Sequence, residues 1–447
     1  MSTRTLLTLV LLTLPLAAQS QSQSQSQSQL QPYDLLLKGG HVIDPANARN
    51  ERLDVATKGE AIVAVAKDIP ADQARKVINV SGLYVVPGLI DIHAHTARRP
   101  ERASFPADLN LASGLTTVVD AGTFGPRNFH LLRTNIMETA RIRVLAFINI
   151  VAPGMGDKEQ DVSEMDPELC AEFIRKNRDR VVGIKTAHYW TSDPWDEAHP
   201  PWAAVDAAVK CGELADAPVM VDFWPRAPER SYAELILDKL RPGDMHTHVF
   251  AQQFPILDRD GKVNDILLQA RKRGVIFDLG HGAGSFWFRN AVPAVEQGFF
   301  PDSISTDLHS GNWNGPVVDM ITTVSKMLAI GVPLEQVIRM STVNPAKQIR
   351  RPELGTLTVG NEADIAVLDL RHGRFSYTDC GRAKFVGDKK LENRLTVRAG
   401  LVAYDPEGLS MVEWQDAPEQ YFKSPKLQGV DPRSSADPVH DELLRER

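Results

Sequence analysis

Only three cysteines occur in 447 residues, and they stand far apart, at Cys170, Cys211 and Cys380. That scarcity excludes both a disulfide framework and a thiolate zinc site. The odd number leaves room for at most one disulfide in an oxidising compartment. Cys170 and Cys211 fall in helix-like text and read as core residues. A basic surplus is also missing: Lys+Arg number 50 against 57 Asp+Glu, for a net charge of −7. With no basic stripe, nucleic acid is not the expected partner. Nor does any apolar run reach the length of a membrane span. The block "LLTLVLLTLPLAA" after Arg4 is too short for that, and Ala18-Gln19-Ser20 fits a signal-peptidase site. Residues 1–20 therefore read as an export signal, which makes the mature protein periplasmic or secreted and free of the membrane after cleavage. The "QSQSQSQSQLQ" text within residues 21–32 cannot build a core and reads as a flexible leader.

What the chain does contain is two textures. Residues 33–86 run in short alternating segments such as "DLLLKGGHVID" and "KVINVSGLYVV", and the same β-rich text returns over 344–405. These two stretches are expected to form one composite β-sandwich. Between them, over 87–343, short β-branched runs alternate with amphipathic helical text such as "DPELCAEFIRKN" and "VNDILLQARKRG". The runs are "LIDIHAH", "TTVVDAG", "RVLAFINIV", "VVGIKTAH", "PVMVDF", "DMHTHVF", "VIFDLGHG" and "SISTDLH". Eight such repeats predict an α/β chain with a (β/α)₈ TIM barrel. A doubly wound open sheet competes, but it does not explain why polar residues gather at the end of run after run. In a barrel those ends share one face. Residues 406–447, rich in proline and charge, read as a C-terminal extension over the surface.

The chemistry lies at those run ends. In "GLIDIHAHTARR", strand alternation sends Asp91, His93 and His95 to one side, with the two histidines about 7 Å apart and able to converge on one ion. Neutral imidazole is a common ligand for zinc and similar metals, and Asp91 is placed to orient one of the rings. "GIKTAH" sets Lys185 on an inward apolar strand, where a bare ammonium needs a carboxylate partner or chemical modification. "DMHTHVF" offers His246 and His248, "FDLGHG" offers His281, and "SISTDLH" offers Asp307 and His309. Ligand-type residues on five strand ends of one face point jointly to a metal centre.

With "VPGLIDIHAH" and "NPAKQI…GTLTVGNEADIAVLDL", the chain resembles the amidohydrolase superfamily over roughly residues 33 to 405. "GIKTAH", "THVF", "FDLGHG" and "ISTDLH" are similar to its deacetylase/dihydroorotase-like metallohydrolases. The resemblance implies two divalent ions, zinc or manganese, held by His93, His95, His248 and Asp307 and bridged by a carboxylated Lys185. It further implies hydrolysis of an amide or ester bond by a metal-bridging hydroxide, with Asp307 taking up and returning the proton and His281 near the substrate. One departure stands out. Where relatives end the fifth strand in a histidine, this chain has Asp222, on the face of Met220 by strand parity. We expect Asp222 to be a ligand, bringing the sum of charges near zero and favouring a harder ion such as manganese. His246 is the other residue able to fill that place or to contact substrate. His188, past Lys185, and the aromatic text "HYWTSDPWDEAHPPW" are expected to line the pocket. Dihydroorotases carry a carboxylate-binding arginine where this chain has Ala97, next to Arg98 and Arg99.

The expected function is an exported, deacetylase-like hydrolase of a small acylated molecule. Alternatives are a cyclic amidase of dihydroorotase or hydantoinase type, and a non-catalytic binding protein on the same barrel. The last would be marked by loss of Asp307 or a ligand histidine, and both are present. Sheet edges and outer helices leave a homo-oligomer open.

Overall fold

The computed structural model describes residues 31–96, 105–190 and 193–422. The export signal, most of the leader, Ala97, Arg98, Arg99 and the end of the C-terminal extension lie outside the described residues. Seven strands precede and open the barrel region: β1 (Tyr33–Lys38), β2 (His41–Asp44), β3 (Arg49–Arg52), β4 (Asp54–Lys58), β5 (Ala61–Ala66), β6 (Ala74–Asn79) and β7 (Tyr84–Pro87). The central sheet follows with β8 (Leu89–Ala94), β9 (Leu115–Ala121), β10 (Arg143–Asn149), β11 (Val181–Thr186), β12 (Val219–Val221), β13 (Met245–His246) and β14 (Ile276–Phe277). Its order is β14-β13-β12-β11-β10-β9-β8, and every pairing is parallel.

Side-chain alternation buries both faces of that sheet. Ile90, Ile92, Val119, Ala121, Leu145, Phe147, Met220 and Met245 form one buried cluster, which Ala346, Ile349 and Leu354 join. Neighbours such as Leu89, Val118, Val144, Val219 and Val221 instead belong to the large cluster shared with the helices. A sheet buried on both sides is what helical crossovers produce. The helix Pro167–Lys176 starts on Asp166, whose carboxylate accepts from the amide of Leu169 at 2.9 Å, with proline in the first turn. The helix Asp265–Arg273 is capped by Asn264 and stops at Gly274, which has φ 97°. In "NFHLLRTNIMETARI" the helix is brief, Phe129–Leu132 followed by a π turn.

The eighth expected run does not form a strand of this sheet. It makes single parallel bridges, Asp278 to Ser303 on one side and Ala94 to Leu308 on the other. Those bridges carry the curled sheet from β14 back to β8, giving a TIM-barrel-like α/β fold.

After the barrel come β15 (Ile365–Thr378), β16 (Lys384–Arg398) and β17 (Leu401–Tyr404). They join N-terminal strands in a six-stranded sheet of order β17-β16-β15-β7-β2-β3, beside a four-stranded sheet of order β5-β4-β1-β6. Leu35, Leu37, Val55 and Ile78 from the smaller sheet share one apolar cluster with Val42, Val85, Ile365, Val367 and Leu395 from the larger. Arg143 of the barrel reaches Asp364 at 2.7 Å and also pairs with Glu362, and Arg398 binds the same two carboxylates. Among the described residues, no helix is long and apolar enough to cross a membrane.

Candidate metal centre

At the strand ends opens a cavity of about 260 Å³. His93, His95, Lys185, Asp222, His248 and Asp307 all line it, as do His188 and His309. The sequence scattered these residues over more than two hundred positions, and the fold collects them.

Each histidine is held by its far nitrogen. His93 Nδ1 lies 2.9 Å from Thr247 Oγ1, and Thr247 in turn donates to Asp278 at 2.8 Å. His95 Nδ1 lies 2.8 Å from Thr123 Oγ1, and His248 Nδ1 lies 2.5 Å from the carbonyl of Gly280. The Nε2 atoms are thereby left to face the cavity, where His93 and His95 approach Asp307 Oδ1 at 3.6 and 3.1 Å. His248 Nε2 is 3.4 Å from Asp222 Oδ2. Ligand atoms of His93, His248 and Asp307 all fall within 4.8 Å of one another. Such a set fits a divalent cation: imidazole nitrogens held by their far side and aimed at one point, beside carboxylates.

The electrostatics distinguish the members of the set, since a cation would have to displace the proton that Asp222 stabilises on His248. Burial pushes His93 well below the usual histidine range, so it is a neutral donor. Burial opposes ionisation of Asp307, yet the surrounding His93, His95 and His248 hold its carboxyl far below the usual range. Burial likewise opposes charge on His248, but the Asp222 carboxylate overrides it and carries the ring up to about 9. Lys185 is wholly buried, its Nζ is 2.9 Å from His93 Nε2, and burial lowers its pKa. Among the described residues it makes no ion pair, so the amine is a buried group in want of a charge partner.

Glycines give these side chains their space. A β-carbon on Gly122, which has φ 82°, would lie 2.8 Å from Lys185 Cβ and Cγ. One on Gly282 would lie 2.7 Å from Asp307 Oδ2. His188, His248 and Asp307 carry left-handed backbones, with φ 40°, 66° and 48°. Strain of this kind persists where the surroundings over-determine a residue's position.

Three expectations need correction. Asp91 does not orient a ring: its carboxylate accepts from the His93 amide at 3.0 Å and from Thr306 Oγ1 at 2.5 Å, tying the first run to the eighth. The pairing of β8 with β9 slips between Asp91 and Ala94, so strict alternation is not kept there. His246 faces away from the cavity into the rings of Tyr232, Phe254 and Phe277, because β13 ends at that residue and His248 lies beyond it on an irregular turn. His281 does not line the cavity either; its Nε2 is 2.8 Å from Lys326 Nζ and its ring stacks on Phe286. The expectation for His188 fares differently. It lines the cavity, with its ring nitrogens 3.4 Å from Glu159 Oε2 and 3.9 Å from Asp222 Oδ2. Sequence reasoning missed Thr123, Thr247, Asp278, Glu159 and Lys326. Thr247 and Asp278 sat in view, inside the quoted "DMHTHVF" and "FDLGHG".

A deacetylase from Brucella anthropi is 33% identical over 348 residues, spanning 76% of this chain and 83% of that protein. The chain belongs to the amidohydrolase family. Residues 288–402 match that family's profile. A crystal structure of an adenine deaminase is similar at TM-score 0.75 and 31% identity, covering 83% of this chain and 100% of the other. A dihydroorotase structure follows at TM-score 0.67 and 29% identity, over 82% and 98% of the two chains. As an amidohydrolase this protein is a hydrolase acting on carbon–nitrogen bonds, not a binding protein without activity. Amidohydrolases generally bind divalent metals, and the cluster of His93, His248 and Asp307 is a matching site.

Proposed function

We propose that this amidohydrolase removes an acyl group from a small amide or ester, for example an N-acylated amino acid. The observation that carries the reading is the convergence of His93, His248 and Asp307 within 4.8 Å beside a wholly buried Lys185, on the wall of one cavity. His93, His95, His248, Asp222 and Asp307 would hold two divalent cations, zinc or manganese. Bound cations of this kind lower the pKa of water and polarise a carbonyl oxygen. Lys185 is assigned as a carbamate. Its neutral amine adds to carbon dioxide, a nitrogen–carbon bond forms and one proton leaves, which turns a costly buried ammonium into an anion with two ligand oxygens. Asp307, held ionised by its histidine neighbours, accepts the proton of the attacking water at its carboxylate and returns it to the leaving amine.

A deacetylase relative supports acyl-group removal. The dihydroorotase-like structure favours a second reading, reversible ring opening of a cyclic ureide or imide. A panel of N-acyl-amino acids, acyl esters, cyclic ureides and aminopurines, run on metal-supplemented enzyme, separates them. Turnover confined to ring substrates or aminopurines would overturn the acyl-transfer reading. The apolar cluster shared by the two outer sheets supports taking 33–86 and 344–405 as one sandwich around the 87–343 barrel. Export rests on the N-terminal text alone, and N-terminal sequencing of the mature protein tests cleavage near Ser20.

A further inference from the structure

Behind the cavity wall lies a lysine that the chemistry above does not use. Lys326, on the helix Met320–Ala329, is 1% exposed. Its Nζ reaches His281 Nε2 at 2.8 Å and the carbonyl of Thr378 at 2.9 Å, and it also contacts the carbonyl of Pro316. Three acceptors ring the amine, enough for every N–H it carries in either protonation state. None of the three acceptors is a carboxylate. They come from three separate segments: the loop after β14, the turn ahead of the helix, and the end of β15. Burying such a group costs far more than burying a methionine of similar length, so the position is not explained by filling space.

What the tripod grips is the cavity wall. His281 Nδ1 lies 3.0 Å from the carbonyl of Gly282, and its ring stacks on Phe286 with centroids 4.8 Å apart and an interplanar angle of 20°. The next three residues, Ala283, Gly284 and Ser285, line the cavity together with Lys185 and Asp222. Gly282 itself sits against Asp307, with no room for a β-carbon. Moving His281 therefore moves the wall.

We infer that Lys326 is a positioning residue which, through His281, fixes the 281–285 loop as the wall against which substrate binds. The part of this inference that concerns substrate rests on the hydrolase reading above. Lys326→Met leaves His281 without its donor and frees the loop. The expected result is a KM raised about tenfold, with kcat changed less than about threefold. Metal content should be unchanged. Hydrogen exchange followed by mass spectrometry should quicken in peptides covering 281–285 and not in those covering 91–96. Lys326→Arg, which keeps donors at the same place, should restore most of the affinity. His281→Phe should reproduce the KM rise, and the double variant should add little to either single change.

Unchanged KM and unchanged local exchange in Lys326→Met would overturn the inference, as would additive effects in the double variant. Should Lys326→Met fail to fold, His281→Phe carries the same two readouts. Should the wild type hydrolyse no member of the panel, the functional reading fails, and local exchange alone decides this one.

Discussion

Asp307 sits on a left-handed backbone at φ 48°, with its amide 2.5 Å from the carbonyl of His93 and its carboxylate facing His95. Under the proposed function one side chain has two roles, holding a cation and moving a proton, and Asp307→Asn separates them. The amide should keep most of the bound metal by mass spectrometric metal analysis, while turnover falls by at least about a hundredfold. Undiminished turnover would remove Asp307 from the reaction. The pair Asp222 and His246 gives a second contrast. Asp222→Ala should lose about one metal ion per chain, whereas His246→Phe should keep both and alter stability by less than about 1 kcal/mol. His246 has no hydrogen-bond partner on either ring nitrogen among the described residues, and burial pushes its pKa down to about 3, so an apolar ring suits the place. The cavity-facing set His93, His95, Lys185, Asp222, His248 and Asp307 was legible in the sequence because each stands at the end of an apolar run. His246 and Asp91 were misread for a physical reason: alternation holds only while a strand continues, and both lie where pairing slips or stops.

At the level of elements, helix limits were the more readable. Asp166 before Pro167 and Gly274 after Arg273 announce an N-cap and a left-handed stop, and the structure has both. Strand ends were less so, since β12, β13 and β14 shrink to three, two and two residues. Glycine turns at strand ends also make room for the cavity's side chains, as Gly122 does after β9. Gly122→Ala should show it: the added carbon meets the Lys185 stem, and the left-handed backbone resists it. We expect a loss of roughly 1–3 kcal/mol in denaturant titration together with a sharp fall in activity. Wild-type kcat with lowered stability would confine the glycine to a folding role.

For the whole molecule, the barrel and the outer sheets meet at a knot of charge. Arg143, 12% exposed, donates to Asp364 and Thr117 and pairs with Glu362, while Arg398 closes the set. Arg143→Met leaves Glu362 and Asp364 to Arg398 alone and should cost about 1–2 kcal/mol in unfolding free energy, with metal binding intact. A second global signature comes from Lys326, which burial lowers from an ordinary 10.5 to about 7. Between those values the unfolded chain holds more protons than the folded one, so stability rises as pH climbs through that window. Lys326→Met should flatten the rise, by an amount on the order of 1–4 kcal/mol, in urea titrations at neutral and alkaline pH. An identical slope in the variant would deny the lysine its shifted ionisation. The barrel's repeat was plain in the text, but its last run reads as a strand and forms only bridges, because its amides and carbonyls bond to loop ends and to Asp91 rather than to a continuous neighbour.

That unfinished last stave has a consequence for how the molecule wears. The cylinder is hooped at its seam by Asp91 gripping Thr306, by His93 meeting Asp307, and by His95 bonded to Leu308. Three of those six residues, His93, His95 and Asp307, also line the cavity, so damage at the seam disturbs the shape of the cylinder and the site together.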